Sequence, residues 1–282
     1  MNRPLAIVTG ASRGLGRSFA LRLAADGYRV ICVARSQSDL DALASTHDAL
    51  IPLPLDLADT DAIGPAIDPL LDAHGPCELL INNAGYGLRM AMEDVPLPRW
   101  RHQFDVNLFS AMAMIQQVLP GMREARAGSI INVSSVAGRI SYPFGGAYAA
   151  TKFALEALSD ALRVEVKQWG IDVVLVEPGP IATAFNASAA DASAQVQARP
   201  DSPYLDNYGE YLRRWAQFHQ GAWSAEDVVE HTLSAARRSS PPQRVACYGL
   251  NLRAALVLHQ VLPRIFDRVI ARRVGLTGAK PT

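Results

Sequence analysis

The chain has 282 residues, 49% of them hydrophobic, with 27 acidic and 27 basic side chains. That is enough for one large core, and zero net charge supplies no long-range pull toward nucleic acid or an anionic membrane. Cys32, Cys77 and Cys247 are scattered, with neither a metal-site spacing nor a disulfide frame, and fit core thiols in a reducing compartment.

The N-terminus enters an apolar run almost at once, without a basic-then-apolar leader, so a cytoplasmic protein is expected. The first strand is predicted over Pro4–Thr9. A helix follows from Gly14 to Asp26, where Leu15, Phe19 and Leu23 recur at helical spacing and Gly27 supplies the stop. Between them lies Thr9-Gly10-Ala11-Ser12-Arg13-Gly14-Leu15-Gly16. Its three glycines let the backbone turn tightly and approach a pyrophosphate facing the helix N-terminus; an ordinary tight strand-to-helix turn is the alternative. The second strand, Arg29–Ala34, ends at Arg35. An acidic group near this point suits the ribose 2′-hydroxyl of NAD, whereas an arginine suits a 2′-phosphate. Arg35 and Arg13 together, with no carboxylate at the strand end, favour NADP(H) over two merely solvated arginines.

A short helix is expected over Ser38–Thr46 and a third strand over Leu50–Leu55, whose prolines weaken its centre. Asp56-Leu57 follows, with a carboxylate placed either to accept from an adenine amino group or to cap a turn. A helix over Asp59–His74 is weakened by Gly64, Pro65 and Pro69. The fourth strand, Glu78–Asn82, runs into Asn83-Ala84-Gly85. There the asparagines can brace the neighbouring strand and Gly85 can let a ribose approach, or the stretch is a plain turn.

A long helix is predicted over Arg99–Arg126, with a kink at Pro120. Asn107 sits mid-helix, where its propensity is poor, so a task for its side chain or carbonyl is expected. The fifth strand, Ser129–Ser134, ends in the hydroxyls Ser134-Ser135, and a helix runs from Tyr148 to Trp169. Tyr148 and Lys152 lie four apart, on one helical face. A free phenol titrates near pH 10, and a nearby ammonium favours phenolate, which would suit a general acid/base. Ser135 is placed to hold a carbonyl oxygen beside that phenol. The bland alternative is a surface tyrosine with a lysine one turn on. The sixth strand is Ile171–Glu177, broken by Pro178-Gly179, and Thr183 beyond it is placed to meet a nicotinamide carboxamide.

Strands that read as near-continuous apolar runs and alternate with helices mark a doubly wound α/β fold, a parallel sheet covered on both faces. No linker or repeat interrupts it, so residues 1–282 form one expected domain. Regular pattern fades over 179–222, a stretch holding Tyr204, Tyr208, Tyr211, Trp215 and Phe218, as in a lid or binding loop. Ser224 then caps a helix to Arg237, with Asp227 three residues on. Arg244–Tyr248 is a short strand, and residues 250–282 form a largely helical extension interrupted at Pro263.

Taken together, TGASRGLG, NNAG, FDVNLF, Ser135, YAATK and EPGPIAT, in this order and spacing, resemble the short-chain dehydrogenase/reductase family over about residues 4 to 248. The resemblance implies a Rossmann-type sheet of seven parallel strands. It implies Tyr148 as general acid/base, Lys152 as its tuner and ribose ligand, Ser135 orienting the carbonyl with Ser134 as competitor, and Asn107 holding a water in a proton relay through Lys152. The cofactor, NADP(H), would lie along Gly10, Ser12, Arg13, Gly14, Leu15, Gly16, Arg35, Asp56, Leu57, Asn83, Ala84, Gly85, Tyr148, Lys152, Pro178, Gly179, Ile181 and Thr183, with no metal. Homodimers or homotetramers built on the helices around residues 100–126 and 148–169 are implied. The tail beyond Leu250 departs from the family core.

The aromatic loop and the tail residues Leu252, Leu256, Leu258, Leu262 and Phe266 either cover the core or an oligomer interface, or wall an apolar pocket. The second reading resembles hydroxysteroid and retinol dehydrogenases and implies a bulky lipophilic carbonyl or alcohol substrate. Arg264, Arg268, Arg272 and Arg273 beside apolar positions leave a membrane-surface role open for the tail. The rival enzyme is a 3-oxoacyl carrier-protein reductase, whose members usually stop near the seventh strand. A non-catalytic NADP-binding regulator is the rival of another class, and such proteins tend to lose the Tyr/Lys pair.

Overall fold

The computed structural model describes residues 3–181, 200–217 and 222–276. Seven strands alternate with helices: β1 (Leu5–Thr9), α1 (Gly14–Ala25), β2 (Arg29–Ala34), α2 (Gln37–Ala44), β3 (Leu50–Pro54), α3 (Ile63–His74), β4 (Cys77–Asn82), α4 (Leu97–Phe104), α5 (Ser110–Ala125), β5 (Gly128–Val133), α6 (Gly146–Val166), β6 (Ile171–Pro178), α7 (Leu205–Gln217), α8 (Ala225–Ala236), β7 (Arg244–Cys247), α9 (Leu250–Val261) and α10 (Pro263–Arg273). All neighbouring strands pair in parallel, in the order β3-β2-β1-β4-β5-β6-β7. Every residue of β1 is buried, as strands covered on both faces require. One face packs on α1, α2 and α8, the other on α3, α5 and α6. The strand order reverses between β1 and β4, and this switch point opens a crevice at the strands' carboxyl ends, where ligands bind in such sheets.

The prolines that weaken the third strand are explained by its place. β3 is an edge strand, paired only to β2. Leu55 N–H points inward to Ala34 O, so by the two-residue alternation of a strand Pro52 and Pro54 occupy outward positions where no donor is missed.

Two elements differ from the sequence reading. The long helix over 99–126 is broken by a π-helical turn at Asp105–Phe109 between α4 and α5; Asn107 therefore stands in an irregular turn, where helix propensity is not the operative constraint. The stretch 179–222 is not irregular throughout, since Leu205–Gln217 is helical. Thr183 and Phe218, and the side chain of Trp215, lie outside the described residues.

Under the crevice runs a buried polar chain. Asn82 Nδ2 donates to Asn132 Oδ1 at 2.9 Å, and Asn132 Nδ2 donates to Ser159 Oγ at 2.9 Å. It ties β4 and β5 to α6 at fixed register. Removing its centre strands a buried donor and a buried acceptor. Asn132→Ala is expected to lower the unfolding free energy by about 2–3 kcal/mol, measured by urea melts.

Candidate active site

The glycine loop is built by close approach. Gly10 has φ +67°, a left-handed conformation that favours glycine. A Cβ on Gly16 would lie 2.2 Å from Gly10 O and 2.5 Å from Asn83 Nδ2, so no side chain fits. Asn83 braces the loop: its Nδ2 donates to Thr9 O at 2.9 Å and Gly10 O at 3.3 Å, and its backbone N–H donates to Thr9 Oγ1 at 3.0 Å. Asp56 Oδ1 accepts from Ala58 N–H at 3.0 Å, so its carboxylate closes a turn while the residue also lines the crevice.

The crevice holds a cavity of about 1230 Å³. Lining it together are Gly10, Ser12, Arg13, Gly14, Leu15, Arg35, Asp56, Leu57, Asn83, Ala84, Gly85, Ser134, Ser135, Tyr148, Lys152, Pro178, Gly179 and Ile181. Gly16 and Asn107 stand just behind this lining. The described residues include no group of acidic, histidine or cysteine side chains able to hold a metal.

Tyr148 sits in the first turn of α6 and is buried. The Ser135 hydroxyl bonds it and favours its anion, as does the charge of Arg89, but burial prevails and lifts the phenol to about 12. Desolvation is the largest influence on the phenol, and Lys152 Nζ stands 5.9 Å from the ring centre. Ser135 is fixed in turn, its Oγ accepting from Ala137 N–H at 3.1 Å. The Ser134 hydroxyl lies behind it, buried, at 2.7 Å from where a Cβ on Gly138 would stand.

Lys152 Nζ donates to Val133 O at 2.7 Å. Burial pushes the ammonium down to about 8, opposed by the negative charge of Glu156 one turn on. Glu156 accepts from Arg244 Nε at 3.0 Å, and Arg244 also faces Glu177 at 3.2 Å. Glu177 in turn accepts from Arg139 Nη1 and from the Tyr248 hydroxyl, each at 2.9 Å. A partly buried ionic chain thus reaches from β7 to Glu156, one turn from the lysine.

Asn107 spends its side chain on structure: Oδ1 accepts from Tyr86 N–H at 3.0 Å, and Nδ2 donates to Tyr86 O at 3.0 Å and Thr151 Oγ1 at 3.1 Å. A Cβ on Gly85 would meet Asn107 Oδ1 at 3.2 Å and Lys152 Nζ at 3.7 Å, so these groups share one corner.

Several lining residues escaped the sequence reading: Arg89, Arg99, His102, Tyr142, Trp223 and Tyr248. None lies in a motif, though Arg89 follows NNAG by only four residues. Tyr142 is seated over Gly145, where an added Cβ would fall 2.0 Å from its ring. The helix α7 is pinned beside this wall, because buried Asp94 accepts from Ser202 Oγ at 2.6 Å and from the Tyr208 hydroxyl. Phe144, Tyr204, Tyr208 and Tyr211 pack edge-to-face or tilted around it.

A family model described as short chain dehydrogenase matches residues 4–194. The chain is 33% identical over 272 residues to a probable short-chain type dehydrogenase/reductase, VdlC, of Helicobacter pylori, covering 96% of this chain and 98% of the relative. Among solved structures it is similar to the closed form of serine dehydrogenase complexed with NADP+, at TM-score 0.73 and 26% identity over 88% of this chain and 95% of the other. It is also similar to a short chain dehydrogenase/reductase from Burkholderia phymatum in complex with NAD, at TM-score 0.79 and 22% identity over 100% and 98%; that likeness is one of fold.

Two outcomes test this geometry. Gly16→Ala is expected to weaken dinucleotide binding about tenfold or more, read by fluorescence titration; unchanged affinity would remove the loop from the site. Lys152 is lowered in the folded chain, from the ordinary 10.5 to about 8, so the unfolded chain holds the extra proton between those values. Stability therefore rises with pH across that window. Lys152→Met is expected to flatten this rise and to be more stable than the parent at pH 7, measured by thermal melts at stepped pH.

Proposed function

The chain belongs to the short-chain dehydrogenase family and is an oxidoreductase, and on that footing we propose that it interconverts a bulky lipophilic ketone or aldehyde and its alcohol using NADP(H). The observation that carries this reading is the convergence on one cleft of the glycine loop, Arg13 and Arg35 at one end and Ser135, Tyr148 and Lys152 at the other. When bound, the nicotinamide supplies or takes the hydride.

The residues support that chemistry as follows. Ser135 and Tyr148 form a pair of hydroxyl donors for one carbonyl oxygen, where negative charge develops as hydride arrives. Tyr148, held protonated by burial, gives its proton to the alkoxide, and Lys152 is the neighbouring cation that steadies the phenolate left behind. Oxidation runs the same path with Tyr148 as base. Asn107 keeps Tyr86 and Thr151 in place beside Lys152. Arg13 and Arg35 offer two guanidinium groups to a 2′-phosphate. Because nicotinamide cofactors with and without that phosphate both occur among related folds, the two arginines are the support for NADP(H) here.

The far half of the cleft supports the lipophilic substrate. It is walled by Tyr142, Tyr248, Leu252, Leu258, Phe266 and Ile270, with α7 alongside. Phe109 and Phe153, 51% and 42% exposed, lie on the π turn and α6 and favour self-association through those helices.

Tyr148→Phe is expected to cut turnover by about a thousandfold while leaving NADPH binding intact; unchanged turnover would dismiss the proton-transfer role. Arg35→Ala is expected to weaken NADPH more than NADH in parallel titrations, and tighter NADH than NADPH binding by the parent enzyme would refute the cofactor preference. A panel of steroid, retinoid, acyl and small aldehyde substrates, followed by NADPH consumption, tests the substrate class.

A further inference from the structure

The helical hairpin α9–α10 is unlike the rest of the surface. Among the described residues twelve large hydrophobic side chains are exposed, and six of them fall here: Leu250, Val257, Val261, Leu262, Ile265 and Val269. No residue of α9 is fully buried, and in α10 only Phe266 is. The inner side of the hairpin is accounted for, since Leu252, Ala255, Leu258, Phe266 and Ile270 wall the cavity. The outer side is not. Val257 and Val261 stand four apart and share a helical face, and Leu262 and Ile265 also lie outside the cavity lining, whereas Val269 stands at its rim. Isolated exposed aliphatics need no explanation, but a run of this density does.

The charge around this face is equally uneven. In a chain with no net charge overall, residues 250–276 carry five arginines, Arg253, Arg264, Arg268, Arg272 and Arg273, against a single acidic residue, Asp267; of these Arg273 lines the cavity. Helices with an aliphatic face flanked by arginines are the form that lies in the plane of a lipid–water interface. No described helix is long and apolar enough to cross a bilayer, so contact would be peripheral.

We propose that the outer face of the α9–α10 hairpin docks on an anionic lipid bilayer, placing one wall of the cavity against the source of an apolar substrate. The clause about substrate rests on the function proposed above; the docking does not. A second copy of the chain is the poorer occupant. A twofold contact would set this face on itself and bring Arg253, Arg264 and Arg268 toward their own copies. An anionic headgroup layer complements both features at once, each arginine near the surface adding about 1 kcal/mol, or about fivefold in partitioning.

The test is co-sedimentation of the full chain with vesicles of phosphatidylcholine alone and of phosphatidylcholine mixed with phosphatidylglycerol. Binding is expected to the mixed vesicles and to weaken as salt rises. The double substitution Val257→Asp with Ile265→Asp, and separately Arg264→Gln with Arg268→Gln, should each reduce partitioning about tenfold or more. Neither pair lines the cavity, so melting temperature and NADPH binding should stay at parent values in both variants. Absence of binding, or equal binding to both lipids, overturns the proposal. So does a concentration-dependent dimer that Ile265→Asp dissociates, which would assign the face to self-contact. Since sedimentation needs no turnover, a failed substrate panel would leave this result standing, and failed docking would leave the oxidoreductase reading standing.

Discussion

The site depends on how closely two backbones approach at the crevice. Gly16 must lie against Gly10, and Asn83 must hold both the first strand's last carbonyl and the loop's first. This contact ties the carboxyl end of β1 to the residue that follows β4 and fixes the start of α1. With it, backbone N–H groups at the head of α1 face one end of the cavity, and the register of β4 and β5 carries Ser134 and Ser135 to the other.

At that other end the chemistry is set by the low polarity of the surroundings. Tyr148 and Lys152 are both buried, and burial moves them in opposite directions, the phenol up and the ammonium down. Both shifts favour the neutral forms, and the anionic side chain of Glu156 opposes the second. That carboxylate is itself held by Arg244, which reaches Asp160 and Glu177 as well. The charge state of the lysine is therefore linked to the last strand of the sheet, and with it to the base of the tail.

Much of this was legible in the chain. The apolar strands, the glycine loop and the Tyr148/Lys152 spacing each follow from local rules, since periodicity and turn chemistry act over a few residues. What escaped depends on distance in sequence. The π turn at Asp105–Phe109 escaped because its residues keep a helical pattern and only the packing of Asn107 against Tyr86 and Thr151 shows the extra residue. The tyrosine's burial was hidden for the same reason: desolvation is a property of the assembled cleft, whereas the lysine four residues away is visible in one dimension. Arg89, Tyr142 and Tyr248 reach the cleft from three separate loops, and no spacing announces them. The segment around Asp94 and Tyr208 joins positions 114 residues apart.

The outward-facing prolines of β3 have an effect beyond the strand that contains them. A sheet border normally displays a row of free amide donors, onto which a stray extended segment from another molecule can add. At positions 52 and 54 those donors do not exist. The border is chemically blunt on that side, so growth of the sheet into intermolecular fibres has no foothold there, even while a newly made chain is still assembling.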